Sequence, residues 1–102
     1  MVRLPTSRPP THPGEMLMEE FIRPHGLSIA ATARRLRISY RRLHQIIKGR
    51  RAVTTETALR FEAFFGMDAD FWLNLQQSYD LWQARHSSLS AELREIPSLV
   101  AV

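Results

Sequence analysis

The sequence predicts an all-α fold of five helices, the last one long, and two observations carry that expectation. Apolar residues recur at three- and four-residue spacing from Leu17 to Trp82, and no segment alternates with the two-residue period of a half-buried strand. The periodic runs are also punctuated as helices are. Ser28, Ser39, Thr54 and Asp68 stand just ahead of four of them, and Gly26, Gly49 and Gly66 stand where three run out.

Residues 1–11 hold Pro5, Pro9 and Pro10 among Thr, Ser and Arg, which predicts an extended, flexible arm. A domain over residues 12–85 follows. Pro13 suits the first turn of a helix over Gly14–Ile22, with Glu15 near its positive end and Leu17 and Phe21 on the inner face. Ser28 is the N-cap of a second helix, Ile29–Leu36, with Ile29, Ala30, Ala33 and Leu36 at helical spacing. Ser39 caps a third, Tyr40–Ile47, whose inward residues are Leu43, Ile46 and Ile47, and Gly49 stops it. After the basic loop Arg50–Val53, Thr54 caps a fourth helix, Thr55–Phe65, with Ala58, Phe61 and Phe65 inward. Asp68 is the expected cap of the fifth, Ala69–Arg85, along which Trp72, Leu75, Tyr79 and Trp82 make an apolar seam. The tail over residues 86–102 is Ser-rich, with room for a short helix near Ser90–Glu95.

Composition narrows the function classes. The 102 residues include no cysteine, so disulfides and thiolate metal sites are excluded, and no cofactor is expected. His12, His25, His44 and His86 never fall three or four apart, which removes the usual helical metal-ligand pair. With no Gly-rich phosphate loop and no paired carboxylates at a plausible site, an enzyme is not expected. No apolar run approaches membrane-spanning length, and the opening residues lack the apolar core of a secretory signal, so the expected address is cytoplasmic.

The net charge of +4 conceals a segregation. Residues 1–51 carry eleven Lys/Arg and three Asp/Glu, whereas residues 52–102 carry three and seven. Eight cations lie within Arg34–Arg51, and no acid stands between Glu20 and Glu56. Such a stretch creates a positive field suited to a polyanion. Thirteen of the fourteen cations are arginine, whose planar fork fits phosphates and guanine edges.

Within that stretch the second and third helices form a helix-turn-helix. Ala33 is small enough to let the third helix cross the second closely, and Ile38 and Leu43 are the apolar pins beneath it. Ser39 directs the third helix outward by its N-terminus, the end whose free N–H groups favour a phosphate. Its outward residues are Tyr40, Arg41, His44, Gln45 and Lys48, with Arg42 at the flank. Arg41 suits guanine O6/N7 and Gln45 suits adenine N6/N7, so these two are the expected base readers, with His44 and Tyr40 behind them. Ser39, Lys48, Arg50 and Arg51 lie where backbone phosphates are met, and Arg42 belongs to the solvent or phosphate side.

Leu27–Gly49, LSIAATARRLRISYRRLHQIIKG, resembles the helix-turn-helix of the lambda-repressor-like (XRE) class. Three further segments are similar to the HigA-type antitoxins: RPPTHPGEMLMEEFIRPHGLS at Arg8–Ser28, KGRRAVTTETALRFEAFFG at Lys48–Gly66, and DFWLNLQQSYDLWQAR at Asp70–Arg85. The likeness covers about residues 8–85. It implies a five-helix antitoxin of a type II toxin–antitoxin module that neutralises a RelE-like mRNA-cleaving toxin. It also implies a homodimer that represses its own operon by binding double-stranded DNA at an inverted-repeat operator. The recognition positions it carries over are Ser39, Tyr40, Arg41, His44 and Gln45, with Lys48 at the helix end. Two departures stand out. Ile29 replaces a polar residue, often Gln, just after the capping Ser, so one phosphate contact is lost. Arg37 replaces the Gly of the turn, where a left-handed conformation costs a non-glycine residue roughly 1 kcal/mol.

Trp72 and Leu75 are expected to complete the core, and Tyr79 and Trp82 are the candidates for dimer contact. For the toxin, Glu15, Glu19 and Glu20 on the first helix suit a basic partner, and Met16, Met18 and Ile22 offer an adaptable apolar surface beside them. The arm and the tail are the alternative toxin contacts. Two other readings of the chain remain: a stand-alone XRE-type transcriptional repressor without a toxin, and an interaction module whose helix-turn-helix no longer binds DNA.

Overall fold

Helices begin in this chain where a side chain supplies an acceptor for the orphan N–H groups of a first turn. The computed structural model, which describes residues 9–100, contains α1 (Pro13–Leu17, continued by a π-helical turn over Met18–Ile22), α2 (Ile29–Leu36), α3 (Tyr40–Ile47), α4 (Thr55–Phe65), α5 (Ala69–Arg85) and α6 (Leu89–Leu93). No strand occurs among the described residues. Residues 1–8 of the expected arm and 101–102 of the expected tail lie outside them. The fold is all-α, and none of its described helices is long and apolar enough to cross a membrane.

Three of the predicted caps form. Ser28 Oγ accepts from the Ala31 N–H at 3.0 Å, Ser39 Oγ from Arg42 N–H at 3.1 Å, and Thr54 Oγ1 from Thr57 N–H at 3.4 Å. Each such cap contributes about 1 kcal/mol. The fourth does not form as predicted: Asp68 occupies the N-cap position of α5 without a capping hydrogen bond. Glu62, in the last turn of α4, reaches across the Gly66 turn instead, and its Oε2 accepts from the Ala69 N–H at 2.7 Å. A carboxylate there still complements the positive end of α5.

The first helix departs most from simple periodicity. The Arg23 N–H donates to the Met18 carbonyl five residues back, at 3.0 Å, so the last turn is widened by one residue. That extra residue rotates Ile22 into the core, where it is fully buried, rather than onto the outer face beside Met16 and Met18. Ile22 is therefore removed from any partner surface. Met16 and Met18 are themselves half-buried and pack against the core. A second correction concerns α2: Ala30 is exposed, and Thr32 takes the inward position. Thr32 meets no penalty for burial because its hydroxyl donates to the Ser28 carbonyl at 2.8 Å.

Leu17, Ile22, Leu36, Leu43, Ile46, Phe61 and Trp72 fill the core. Phe21 and Phe61 lie with ring centroids 5.2 and 5.1 Å from that of Trp72, tilted or edge-on as aromatic quadrupoles favour. This cluster binds α1, α4 and α5 into a platform on which α2 and α3 sit. Leu75 is half-buried against the same core, in line with expectation. The short tail helix α6 begins one residue ahead of the expected Ser90, and its Leu89 and Leu93 are exposed.

Candidate nucleic-acid interface

The turn between α2 and α3 sets how the third helix projects. Arg37 adopts φ 59° and ψ 42°, the left-handed conformation expected at the position where glycine is usual. Among the described residues it is the non-glycine with positive φ. The Ile38 N–H donates back to the Ala33 carbonyl at 3.1 Å and the Arg37 N–H to Arg34 at 3.1 Å, which closes the end of α2. Ser39 then starts α3 in a new direction.

The other side of α3 rests on α1. Gly14 is buried there, and a Cβ on it would collide with the backbone carbonyl of Ile46. Hydrogen at this position is what lets the backbones of α1 and α3 touch. His12 arranges that contact: its Nδ1 accepts from the Gly14 N–H at 2.9 Å and caps α1. The ring is 8 % exposed and lies edge-on to Tyr79, centroids 4.8 Å apart. Burial lowers the His12 pKa below its ordinary value, against the upward pull of the Asp80 and Glu15 carboxylates.

On the outward side, Tyr40 is 53 % exposed and its ring stacks with His44, centroids 5.7 Å apart and planes 18° from parallel. Arg41 is exposed, and His44 and Gln45 are half-buried beside it. Gln45 is not loose: its Oε1 accepts from Arg51 Nε at 3.0 Å. Arginine can only donate, so the amide carbonyl must face Arg51, and the NH₂ and the second carbonyl lone pair stay available. Lys48 and Arg50 are exposed past the last turn, where Gly49 at φ 73° ends the helix. The structure thus joins Tyr40 with His44 and Gln45 with Arg51, and Arg41 and Lys48 share with them the side of α3 opposite Leu43 and Ile46. Ser39 caps the helix, and Arg50 is exposed in the loop beyond it. Arg42 stands apart from them.

Arg42 was expected at the solvent or phosphate flank. Its guanidinium is turned instead toward α4, where Nη2 donates to Glu56 Oε1 at 3.0 Å and to Thr57 Oγ1 at 2.6 Å. The bond from Arg42 to Glu56, with a second set from Arg60, holds the Glu56 carboxyl below the usual carboxylate range.

Three residues of this architecture escaped the sequence reading. His12 did so because histidine is an unusual cap and Pro13 by itself accounts for the start of the helix. Glu56 had a signal, being the acid that ends a long acid-free stretch and stands four residues before Arg60. Gln76 had none: buried on α5, it accepts from the Val53 N–H through Oε1 at 2.8 Å and donates to Asp80 Oδ1 at 2.9 Å. It ties the basic loop Arg50–Val53 to the long helix. The proposed dimer residues are both partly used within the chain. Tyr79 meets His12, and Trp82 is half-buried with its ring stacked on His86 at 3.9 Å. The Trp82 Nε1–H is enclosed with no acceptor among the described residues.

A helix-turn-helix family profile matches residues 18–72. Antitoxin HigA-1 of Vibrio cholerae is 35 % identical over 81 residues, 79 % of this chain and 76 % of that protein. The solved structure of antitoxin GraA superposes with a TM-score of 0.85 at 34 % identity, covering 91 % of this chain and all of that one. The Pseudomonas aeruginosa antitoxin HigA, solved with the higBA promoter, gives a TM-score of 0.83 at 35 % identity, covering 89 % of this chain and 99 % of its own.

Proposed function

This chain belongs to the XRE-type helix-turn-helix family, among the HigA-like antitoxins, and on that premise we propose that it represses its own operon and neutralises the toxin encoded beside it. The observation that carries the DNA-binding half is the outward face of α3. Tyr40, Arg41, His44 and Gln45 line it, and no acidic residue interrupts the segment from Arg23 to Thr55. Arg41 and Gln45 read base edges, with Arg51 holding Gln45 in position. Tyr40 and His44 contact the bases or the adjoining backbone as a stacked pair. Ser39, Lys48, Arg50 and Arg51 take phosphates and set the register.

One such face offers few base contacts. We therefore assign a homodimer that spans an inverted repeat with half-sites about 34–36 Å apart. Tyr79 and Trp82 of α5 are the residues assigned to its interface. Support for that assignment is their place on α5 beyond the core residues Trp72 and Leu75, where both rings are only half-buried and leave area for a partner. The partner toxin is taken to be a small basic RelE-like ribonuclease. The acids Glu15, Glu19 and Glu20 on α1 complement such a surface, although Glu19 also meets Arg23 at 3.7 Å. The cytoplasm is the compartment this role requires.

Co-expression with the product of the neighbouring reading frame tests the reading. Co-purification of the two chains and relief of that product's growth inhibition are expected. A neighbour without toxicity, combined with operator binding by this chain alone, would establish a stand-alone repressor instead.

A further inference from the structure

The acid-free stretch of the chain ends at one carboxylate, and the structure turns that carboxylate back toward the recognition helix. Glu56 Oε1 accepts from Arg42 Nη2 at 3.0 Å, while Oε2 accepts from Arg60 Nε at 2.9 Å and lies 2.8 Å from Arg60 Nη2. Both cations are themselves anchored. Arg60 Nη1 donates to the Leu36 carbonyl at the end of α2 at 3.0 Å, and Arg42 Nη2 donates to the buried Thr57 hydroxyl at 2.6 Å. One carboxylate thereby joins α2, α3 and α4 through two guanidiniums.

We infer that Glu56 is a specificity-determining residue of the DNA-reading face, and that Arg42 is a positioning residue rather than a contact to DNA. The inference rests on the operator-reading role proposed above and deepens it. α3 has eight residues and is gripped from below by Leu43 and Ile46. The Arg42–Glu56 bond braces it from the side, against rotation about its own axis. A rotation of about 20° would sweep a side-chain tip on a helix of about 5–6 Å radius through roughly 2 Å. Hydrogen bonds to a base edge tolerate only about 0.5 Å of variation in length. Base reading is therefore lost on such a rotation, whereas attraction to phosphates is not.

The same pair has an electrostatic effect. In the braced state the Arg42 side chain is only 25 % exposed and its charge is partly offset by Glu56, which it shares with Arg60. Losing the carboxylate frees a cation beside the interface. Specific binding then weakens while sequence-independent binding strengthens, which separates this role from a plain loss of folding.

Fluorescence anisotropy of the full chain, on its own upstream region and on a scrambled duplex of equal length, tests this across a salt series. Glu56→Gln is expected to reduce preference for the upstream duplex by about tenfold, the loss of one base contact. It should also bind the scrambled duplex more tightly, with a salt slope steeper by about 0.9. Arg42→Gln should lose the same preference with no change in slope on the scrambled duplex. The charge swap, Arg42→Glu with Glu56→Arg, should restore preference. A slope shallower by about 0.9 for Arg42→Gln would make Arg42 a phosphate contact and overturn the inference. So would unchanged preference in either single variant. Should Glu56→Gln fail to fold, the Arg42→Gln slope still decides between the two roles. A wild-type chain with no preference for its upstream region would sink the operator-reading proposal itself, a result distinct from all of these.

Discussion

A methyl group added at Gly14 would land on the backbone of the recognition helix. Built there, a Cβ lies 2.8 Å from Ile47 Cα and closer still to the Ile46 carbonyl group. Carbon atoms in contact prefer about 3.5–4.0 Å, and the nearer carbonyl group demands a larger shift still, so α1 and α3 must separate by more than about 1 Å. No rotamer change can relieve the clash, because all three atoms it meets are main chain. The separation opens the core around Leu17, Leu43 and Ile46, all fully buried. Overpacking of this kind costs about 1–3 kcal/mol, and a backbone-to-backbone clash places Gly14→Ala near the upper end. With a urea m-value of about 1.5 kcal/mol/M, the unfolding midpoint should fall by about 2 M. Equilibrium urea unfolding followed by tryptophan fluorescence measures it, since Trp72 lies in the affected core. A midpoint shift smaller than about 0.3 M would mean that α1 does not seat against α3 as described.

Arg37→Gly should stabilise the chain by about 0.5–1 kcal/mol, the relief of left-handed strain less the added freedom of the unfolded glycine. Arg37→Ala, which keeps the strain, should not, and thermal unfolding of the two variants makes the comparison. The pH dependence follows from His12 and Glu56, whose pKa values are both lowered by folding. Each binds protons more readily when unfolded, so each contributes stability that is present above its unfolded pKa and lost as pH falls through its folded one. Stability should accordingly decline as pH drops below about 6.5 through His12, and again below about 4.3 through Glu56. His12→Asn, which can still cap α1 but does not titrate there, should flatten the first decline in pH-dependent melts. For DNA binding, Arg41→Ala should cost about 1–3 kcal/mol on the operator and relax preference at one base pair. Lys48→Ala should weaken all duplexes alike and reduce the salt slope by about one. Identical behaviour of the two across operator variants would erase the distinction between reader and positioner.

The ends of α2 to α5 were legible in the sequence because caps, prolines and glycines are local signals, and Ser28, Ser39 and Thr54 act within their own first turns. The left-handed Arg37 was legible for the same reason, through the resemblance to a motif that places glycine there. What escaped was set by contacts distant in the chain. Ile22 turned inward because a π-helical turn added a residue, which an ideal 3.6-residue period does not contain. Glu62 replaced Asp68 as the acceptor for α5 because the turn at Gly66 folds α4 back beside it. At the candidate interface, residue types identified the outward row but not its internal bonds. The Arg51–Gln45 and Arg42–Glu56 pairs join residues 6 and 14 apart and needed the fold to bring them together.

Whether α3 reads a specific duplex is decided by one titration. Binding of the wild-type chain to its own upstream region and to random duplex is measured from about 50 to 200 mM salt. A base-reading α3 should give a preference of about a thousandfold or more for the upstream region. The logarithm of the affinity should also fall linearly with the logarithm of salt concentration. Equal affinity for both duplexes, or binding indifferent to salt, would contradict base reading by α3.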